Sequence, residues 1–491
     1  MKSNILLKIL LLSLVFIFTG CEDKVVQNSV KPYEGQTIMV IVPKLAGKTI
    51  RGPILEEAKV FEKQTGARIK VVTPSWAETI KITKESLFND KINFDIFVII
   101  SSWGGSLLSE DNIAEVPQWV KEKIQWDDVL PIYKKSVLSW NNKTYALPYD
   151  GDCINLYYRK DIFNDLKNKQ KFKTDFGYEL NPPKTWKEFE DIASFFNGWD
   201  WDNDGKINYG IAGSRLKGYG TMLQFFTRAA AYAKHPENKG FYFNPTTMKP
   251  NINNDAFVKA LEDYISVMKY APNQIYKFSP GDVRKSFISG EVAMAIDWAN
   301  MGTMSTNSEI SVVKDKVGFA QLPGNDEVYN YKINSWDKQY NRPSSISGNW
   351  TLMVNKKSKN KKLAFEFASY MTSKEMTHKL TTQGWTGVNP SRYSHFVDPS
   401  SWTKMGFSIE SAKEYLDVIN KSLENSNVMV DIRIPGASRY YSAINKYIDL
   451  AIKGELKPKE ALDKAAKQWE NITDELDREK QLSLYNNSIN N

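Results

Sequence analysis

The segment GPILEEAKVFEKQTGARIKVVTP, residues 52–74, decides the fold because it combines one helix pattern with one strand pattern. Ile54, Ala58 and Phe61 recur at the spacing of a single helix face, and Gly66 marks the end of that pattern. The following RIKVVTP is short, apolar at alternate positions and typical of a strand. The segment therefore predicts a helix that is followed directly by a strand.

Two further apolar runs flank this segment. TIMVIVP (37–43) precedes it, and FDIFVII (94–100) follows it as a buried strand. Strand, helix and strand in this order indicate a parallel sheet covered by helices, which is an α/β fold. Because 491 residues exceed one ordinary core, we expect two domains or two lobes of one fold.

A second helix is signalled by PPKTWKEFEDIASFF, residues 182–196. Thr185 and Glu188 have the spacing of a capping box, in which each side chain accepts from a backbone amide of the first turn. The apolar stripe that follows is most simply part of a core. Near the other end of the chain, residues 476–491 are polar and are expected to form a frayed tail.

The N-terminus has the features of an export signal. Lys2 and Lys8 accompany the apolar run ILLLSLVFIF, which is too short to span a bilayer. The run ends in FTGC, which resembles the bacterial lipobox, so Cys21 is predicted to be lipidated after residues 1–20 are removed. Removal lowers the net charge from +8 to +6, because two lysines are lost. Residues 21–36 would then form a polar tether, with a simple signal peptide as the alternative.

The composition limits the other classes of function. With Cys21 lipidated, Cys153 is the only cysteine left, so no intrachain disulfide is expected. Basic residues are dispersed, and no basic block alternates with aromatic residues, which argues against a nucleic-acid partner. The sequence has no HExxH, P-loop or nucleophile-elbow motif. Its 14 Trp and 24 Tyr suit a core, and also a site that stacks on the faces of sugars.

Eight stretches in one order resemble the extracellular solute-binding proteins of carbohydrate ABC importers, in the group that contains the maltose-binding protein. They are VFEKQTGARIKVV (60–72), FDIFVIISSWGGSLLSEDNIAEV (94–116), YALPYDGDCINLYYRKDIF (145–163), PPKTWKEFEDIA (182–193), FISGEVAMAIDWAN (287–300), VGFAQLPG (317–324), SISGNWTLMVNKKSKNKKLAFEFASYMTS (345–373) and IPGASRYYSAINKYIDLAIKGELKPKEALDKA (434–465). The resemblance implies a receptor, expected to be monomeric, that passes its ligand to the transmembrane subunits of a permease.

The resemblance implies the two-lobed periplasmic-binding-protein fold of type II, with ligand held in a cleft that closes by hinge motion. The chain crossings are predicted near 149–152, 296–299 and 347–350. The first lobe would then comprise residues 36–149 and 299–348. The second lobe would comprise residues 150–298 and 349–475.

The crossings carry the residue types that a sugar cleft needs, since carboxylates and amides bind hydroxyl groups and aromatic rings stack on C–H faces. The resemblance places Asp152 at a hinge-region acid that accepts from sugar hydroxyls, and Tyr441 at a stacking tryptophan. The full set of predicted ligand-binding residues is Trp103, Tyr149, Asp150, Asp152, Asp297, Trp298, Asn300, Asn349, Trp350, Trp385, Arg439 and Tyr441. Each of them also has a structural interpretation, as a capping acid or a packed ring.

Several alternatives remain open at this point. An acidic sugar or another charged solute would be favoured if Arg433 or Arg439 entered the cleft and bound a carboxylate. A glycosidase pair could be imagined among the three aspartates of the crossings, but no separate acid follows a hydrolase pattern. A surface lipoprotein without a transport role is the third class, because fold does not fix function.

The segment WDWDNDGKIN, residues 199–208, resembles a calcium loop found in some larger members of the same family. The predicted ligands are Asp200, Asp202, Asp204, the Lys206 carbonyl and Asn208. Ile211 stands where an EF-hand has its bidentate acid, so the loop is not a complete EF-hand. We expect a structural calcium, with a polar turn without metal as the alternative.

Overall fold

The computed structural model describes residues 31–45, 48–88 and 93–490. The predicted signal peptide, Cys21 and most of the predicted tether lie outside the described residues. The end of the predicted tether is folded: the Lys31 ammonium donates to the Lys63 carbonyl at 2.7 Å, and the Tyr33 amide donates to the Thr65 carbonyl at 2.9 Å. Residues 31–36 therefore lie against the first helix.

The strands of the described residues, in chain order, are β1 (Thr37–Ile41), β2 (Arg68–Val72), β3 (Ile96–Ile100), β4 (Ser139–Trp140), β5 (Lys143–Thr144), β6 (Leu147–Pro148), β7 (Ile154–Arg159), β8 (Tyr209–Ala212), β9 (Val292–Trp298), β10 (Val317–Ala320), β11 (Val328–Asn330), β12 (Ser335–Asp337), β13 (Ser344–Ser345), β14 (Trp350–Val354) and β15 (Val428–Met429).

The α-helices of the same part of the chain are α1 (Arg51–Thr65), α2 (Trp76–Phe88), α3 (Ser101–Leu108), α4 (Gln118–Lys123), α5 (Pro131–Ser136), α6 (Lys160–Asn164), α7 (Leu166–Phe176), α8 (Trp186–Phe195), α9 (Tyr219–Ala233), α10 (Asp255–Ser266), α11 (Pro280–Ile288), α12 (Asn300–Thr306), α13 (Lys361–Met371), α14 (Lys374–Thr381), α15 (Ile409–Leu423), α16 (Ala437–Ile452), α17 (Pro458–Glu475) and α18 (Arg478–Asn490).

Two sheets organise the described chain. The first has the order β2-β1-β3-β14-β6, and its β1 pairs in parallel with both β2 and β3. The second has the order β10-β7-β9-β8. Each sheet, with the helices packed on it, is called a lobe below. The opening segment forms α1 and β2 as expected, and α1 ends at Gly66, whose φ of 76° suits glycine.

The strand pairing corrects the predicted lobe boundaries in two places. The sequence predicts 299–348 in the first lobe, but β10 pairs with β7 of the second sheet and α12 packs on β9. The sequence predicts 349–475 in the second lobe, but β14 pairs with β3 of the first sheet and α13 packs on it. The remaining predicted boundaries are not tested by these pairings.

The reason lies at 296–299, where a crossing is expected and none occurs. Ile296 and Trp298 are still paired with β7, and the chain then enters α12 on the same lobe. The crossings into and out of the second lobe are near 149–153 and 347–350, between β6 and β7 and between β13 and β14. The chain returns to the second lobe before α15, which packs on β7 and β10.

The capping box of α8 is present in a modified form. The Thr185 hydroxyl accepts from the Glu188 amide at 3.1 Å, but Glu188 accepts from the Lys184 amide at 2.6 Å rather than from Thr185. Trp186 and Phe196 of the predicted stripe are buried, as a core face requires. The Glu188 carboxylate thus satisfies the backbone amide of the residue that precedes the N-cap Thr185.

The predicted frayed tail is wrong for residues 478–490. These residues form α18, and Tyr485 is buried against Phe243, with ring centroids 5.3 Å apart. The tail is polar overall, but Tyr485, the buried Gln481 and the Asn486 side-chain amide, which donates to the Pro245 carbonyl at 2.9 Å, hold it against the folded chain. Within the described residues no helix combines the length and the apolar character needed to cross a membrane.

Candidate functional site

A cavity of about 540 Å³ lies between the two sheets. This volume is in the range of small-molecule sites. The first lobe contributes side chains that follow its strands or begin its helices, namely Lys44, Thr49, Ile50, Trp76, Ile100 and Trp350. The second lobe contributes Asp152, Tyr219, Ser279, Arg284, Trp298 and Asn300, and Gly348 comes from the second crossing.

Aromatic rings from both lobes form much of the wall. Trp76 packs edge-on against Trp350 with centroids 5.9 Å apart, and tilted against Tyr219 at 6.1 Å. On the opposite sheet, Trp298 ends β9 and its indole N–H donates to the Ser347 carbonyl at 2.9 Å. Flat apolar faces with satisfied polar edges are therefore presented to the cavity.

A buried ion pair provides the charge on the second-lobe wall. Arg284 of α11 lines the cavity and pairs through its guanidinium with Asp297, whose side chain is fully buried behind it. Asp282 orders the start of α11 by accepting from the Ser279 amide at 2.9 Å and its hydroxyl at 2.6 Å. Ser279 lines the cavity, so the positive end of α11 faces it.

Two carboxyl groups at the first crossing are coupled. The Asn389 side-chain amide donates to Asp152 at 2.7 Å and to Asp150 at 3.1 Å. Burial raises the pKa of Asp150 to about 7. Burial, and then the charge of Asp150, raise the pKa of Asp152 well above its ordinary range, and Arg284 opposes this shift. The pair therefore retains a proton near neutral pH, so Asp152 can donate to or accept from a ligand hydroxyl.

Asp431 is a buried residue beside the cavity whose carboxylate accepts hydrogen bonds from several segments of the chain. Its carboxylate accepts from the Tyr219 hydroxyl at 2.8 Å, the Gly348 amide at 3.0 Å, the Tyr441 hydroxyl at 3.2 Å and the Ser101 hydroxyl at 3.3 Å. These partners come from both lobes and from the second crossing. Asp431 thereby fixes the position of Tyr219, which lines the cavity.

The structure brings four of the sequence-predicted residues to the cavity: Asp152, Trp298, Asn300 and Trp350. Four others stand directly behind its wall. Trp103 packs against Trp76 with centroids 4.7 Å apart, and Asp297, Asp150 and Tyr441 bond to Arg284, Asn389 and Asp431 as described above.

The remaining four predicted residues lie elsewhere. The Tyr149 hydroxyl donates to the Ile50 carbonyl at 2.8 Å, and the Asn349 amide donates to the Ile346 carbonyl, so both are backbone supports. Trp385 is 39% exposed on the surface. Arg439 pairs with Glu475 in an exposed ion pair. Arg433 also stays away from this cavity and donates to backbone carbonyls near the end of α5.

Sequence reasoning missed Trp76, Tyr219, Ser279, Arg284 and Asp431. The sequence did contain a pattern that points to Ser279 and Arg284, because Ser279 and Asp282 have capping-box spacing and Arg284 follows them. The others had none, because an isolated tyrosine or aspartate in a loop is compatible with many roles. Only the approach of two lobes brings them together.

The predicted metal loop forms a compact acidic cluster. Oxygen atoms of Asp200, Asp202 and Asp204 all lie within 4.8 Å of one another. Asp200 accepts from the Asp204 amide at 3.1 Å and the Gly205 amide at 3.0 Å. One oxygen of Asp202 is 3.3 Å from Arg159, and the other is buried without a hydrogen-bond partner in the described chain. The carboxylate oxygens suit a hard cation such as calcium.

Comparison with known proteins gives one family. Residues 57–406 match the family model of the bacterial extracellular solute-binding proteins. The chain is 28% identical over 249 residues to the mannitol-binding protein of Pseudomonas aeruginosa. That match covers 50% of this chain and 49% of the relative, so the chain spans about half of that relative's length.

Solved structures of similar fold are binding proteins of ABC transporters and related receptors. One from Agrobacterium radiobacter K84, in complex with ribitol, has a TM-score of 0.71 at 22% identity and covers 90% of this chain and 100% of its own. Maltose-bound MalE3 of T. maritima has a TM-score of 0.68 at 18% identity, with 89% and 99% covered. These likenesses confirm the predicted two-lobed α/β fold, and the relatives are binding proteins rather than enzymes.

Proposed function

This chain belongs to the bacterial extracellular solute-binding proteins, and we propose that it captures a carbohydrate for an ABC importer. One observation carries the proposal: aromatic faces and hydrogen-bonding groups from two lobes converge on one cavity. The rings of Trp76, Trp298 and Trp350 supply the faces. Asp152 and Asn300 supply acceptors and donors. Transfer of the captured ligand to transmembrane permease subunits follows from the same proposal.

The ligand we propose is a polyol or a short sugar. The sequence favoured an oligosaccharide, and the cavity of about 540 Å³ has room for that as well as for a molecule of polyol size. A relative named for mannitol and a solved structure with ribitol support this size. Support for an acidic sugar is limited to the exposed Lys44, because Arg284 is already paired with Asp297 and neither Arg433 nor Arg439 lines the cavity.

Native mass spectrometry of the purified protein, followed by calorimetric titration, tests the proposal. The titration panel comprises mannitol, ribitol, glucose, maltose, maltotriose, glutamate and a dipeptide. We expect one or more of the polyols and sugars to bind one to one. Retention of a peptide, or saturable binding of glutamate or the dipeptide alone, would overturn the carbohydrate assignment.

Matched tryptophan variants test whether binding occurs in this cavity. Trp298→Ala and Trp350→Ala each remove a ring from the wall and should weaken binding at least about tenfold. Trp119→Ala removes a ring that is 37% exposed on α4 and does not line the cavity, so it should leave affinity unchanged. Equal loss in the Trp119 variant would point to a general folding defect rather than to a ligand site.

A lipid anchor is the second part of the proposal. The FTGC motif supports lipidation of Cys21, which would hold the receptor at the outer face of a membrane beside its permease. Residue 31 is the first that the structure describes, so residues 22–30 would lie between the lipid and the receptor.

A structural calcium in the 199–208 loop is the third part. Arg159 is shared between Asp161 and Asp202, and the exposed Lys206 pairs with Asp204 at 2.9 Å, so Asp200 has no cationic partner among the described residues. The unpartnered oxygen of Asp202 and the carboxylates of Asp200 and Asp204 would hold the ion, with water completing the shell.

The position of this loop separates the ion from the solute. The Asn208 side-chain amide donates to the Gly290 carbonyl at 3.3 Å, just before β9 begins, whereas Trp298 lines the cavity where β9 ends. The ion would therefore stabilise the second lobe without contacting the ligand.

A further inference from the structure

A second cavity, of about 440 Å³, lies on the far side of Asp431 from the first. Its walls include Lys135 at the end of α5, Lys234 just after α9, the segment 426–433 and Tyr485 of α18. The Asp431 carboxylate itself is engaged with Tyr219, Tyr441, Gly348 and Ser101, as described above. The second cavity is therefore a separate space with its own chemistry.

Positive charge dominates this space. Lys135, Lys234, Lys239 and Arg433 line it, and Asp431 is the only acidic residue among the described lining residues. The Lys234 ammonium donates to the Asn427 side-chain carbonyl at 2.7 Å. Within residues 31–45, 48–88 and 93–490, no carboxylate lies within ion-pair distance of Lys135 or Lys234. Burial lowers the pKa of Lys234 to about 8 by removing water from around the ammonium group.

Arg433 and Asn238 complete the wall of the cavity without offering a group that a ligand could reach. Arg433 is 2% exposed and donates to the Ser136, Val137 and Ser139 carbonyls at 2.6, 3.1 and 2.7 Å. Its Nε and the Asn238 side-chain carbonyl oxygen have no partner among the described residues, but both atoms are shielded from the cavity as well as from solvent. The lysines are therefore the charged groups that a ligand in this cavity would meet.

We propose that the second cavity binds a small organic anion. Its phosphate or carboxylate group would be held by Lys234 and Lys135. Phe241 and Tyr242 would cover the carbon skeleton. This ligand differs in charge from the neutral solute proposed for the first cavity.

Because of the position of the second cavity, an anion bound there would affect the arrangement of the two lobes. Lys135 and Ser136 precede the first crossing, whereas Lys234 follows α9, whose Gln224 donates to the Ile296 carbonyl in β9 of the second lobe. An anion that contacts both sides binds one relative arrangement of the lobes better than another. Its affinity and the affinity for the transported solute are then linked, each changing the other by the same factor.

Calorimetric titration of the whole purified protein with glycerol 2-phosphate and with gluconate tests the proposal, with glycerol as the neutral control. We expect one to one binding of at least one anion and no binding of glycerol. Lys234→Gln and the exposed Lys135→Gln should each weaken the anion at least about tenfold, which is the value of one charged hydrogen bond. The two anions distinguish a phosphate site from a carboxylate site.

Two control variants distinguish anion binding in the second cavity from anion binding elsewhere on the protein. Lys467→Gln removes an exposed lysine from a basic surface patch beside Arg439 and should leave anion affinity unchanged. Trp298→Ala damages the first cavity and should also leave it unchanged. The proposal is overturned if neither anion saturates the protein, if Lys467→Gln weakens binding as much as Lys234→Gln, or if Trp298→Ala abolishes it. The last result would place the anion in the first cavity.

Discussion

Replacing Arg284 by methionine should destabilise the protein and weaken solute binding by two separable routes. The Asp297 side chain is completely buried and Arg284 is 19% exposed, so Arg284→Met leaves an uncompensated carboxylate inside the second lobe. Breaking a buried pair in this way costs about 3–5 kcal/mol of unfolding free energy. The partial exposure of Arg284 places the expected value near the lower end of that range.

The double variant Arg284→Met/Asp297→Asn removes the buried charge together with its partner. Its unfolding free energy should return to within about 1–2 kcal/mol of the original protein, because an uncharged pair of similar volume is tolerated. Solute affinity should not return, because the guanidinium that lines the cavity is still missing. Urea denaturation and calorimetric titration on the same samples measure the two effects independently.

The single variant should also become more sensitive to pH. Burial raises the pKa of Asp297, and Arg284 opposes this shift in the intact protein. Without Arg284 the folded-state pKa rises further above its unfolded value, so the added instability grows as pH rises and is smallest in acid. Arg439→Met, which breaks an exposed pair with Glu475, is the matched control and should cost about 0–1 kcal/mol. A loss below about 1 kcal/mol in Arg284→Met, or a double variant no more stable than the single one, would refute the reasoning.

Other parts of the molecule give three further predictions. Burial raises the pKa of Asp150 to about 7, so the contribution of this carboxyl group to stability is present in acid and is lost as pH rises from about 4 to about 7. Asp150→Asn should therefore make the melting temperature less dependent on pH across that window. An unchanged pH dependence would count against the shared proton. Chelation of calcium should lower the melting temperature, with a loss of about 2.7 kcal/mol where free calcium had been about a hundred times Kd, and Asp202→Asn should remove this response without changing solute affinity. Insensitivity to the chelator would favour a metal-free turn. Cys21→Ser should move the protein from the membrane fraction to the soluble fraction of cells, and continued membrane retention would contradict the anchor.

Local patterns were reliable wherever a short range of sequence sets the structure. The α1 and β2 boundaries agree closely with the opening segment, since helical spacing and the glycine stop act within a few residues. The N-cap at Thr185 is formed for the same reason. The tail shows the limit of such patterns, because polar composition predicted fraying, whereas the contacts of Tyr485 and Asn486 with distant residues accompany a helix.

The sequence predicted residues that line the first cavity only where those residues lie near a chain crossing. Asp152, Trp298, Asn300 and Trp350 stand at or next to strand ends, and the resemblance to a known family identified those ends. Asp297 and Asn349 adjoin the lining residues Trp298 and Trp350 but point away from the cavity, because neighbouring residues of an extended chain face opposite sides. Asp150 is instead bonded to Asn389. Sequence proximity to a crossing could not distinguish a wall residue from the one behind it.

The sequence by itself determined the α/β class, the family and the aromatic and acidic character of the crossings, because these depend on periodicity, composition and order along the chain. The tertiary structure alone decided which lobe each returning strand joins, since β14 enters the first sheet through hydrogen bonds to residues about 250 positions away. It also decided that Arg284 lines the first cavity while Arg433 lines the second. Both outcomes depend on the approach of distant segments, whose energies come from burial and pairing that no local window of sequence contains.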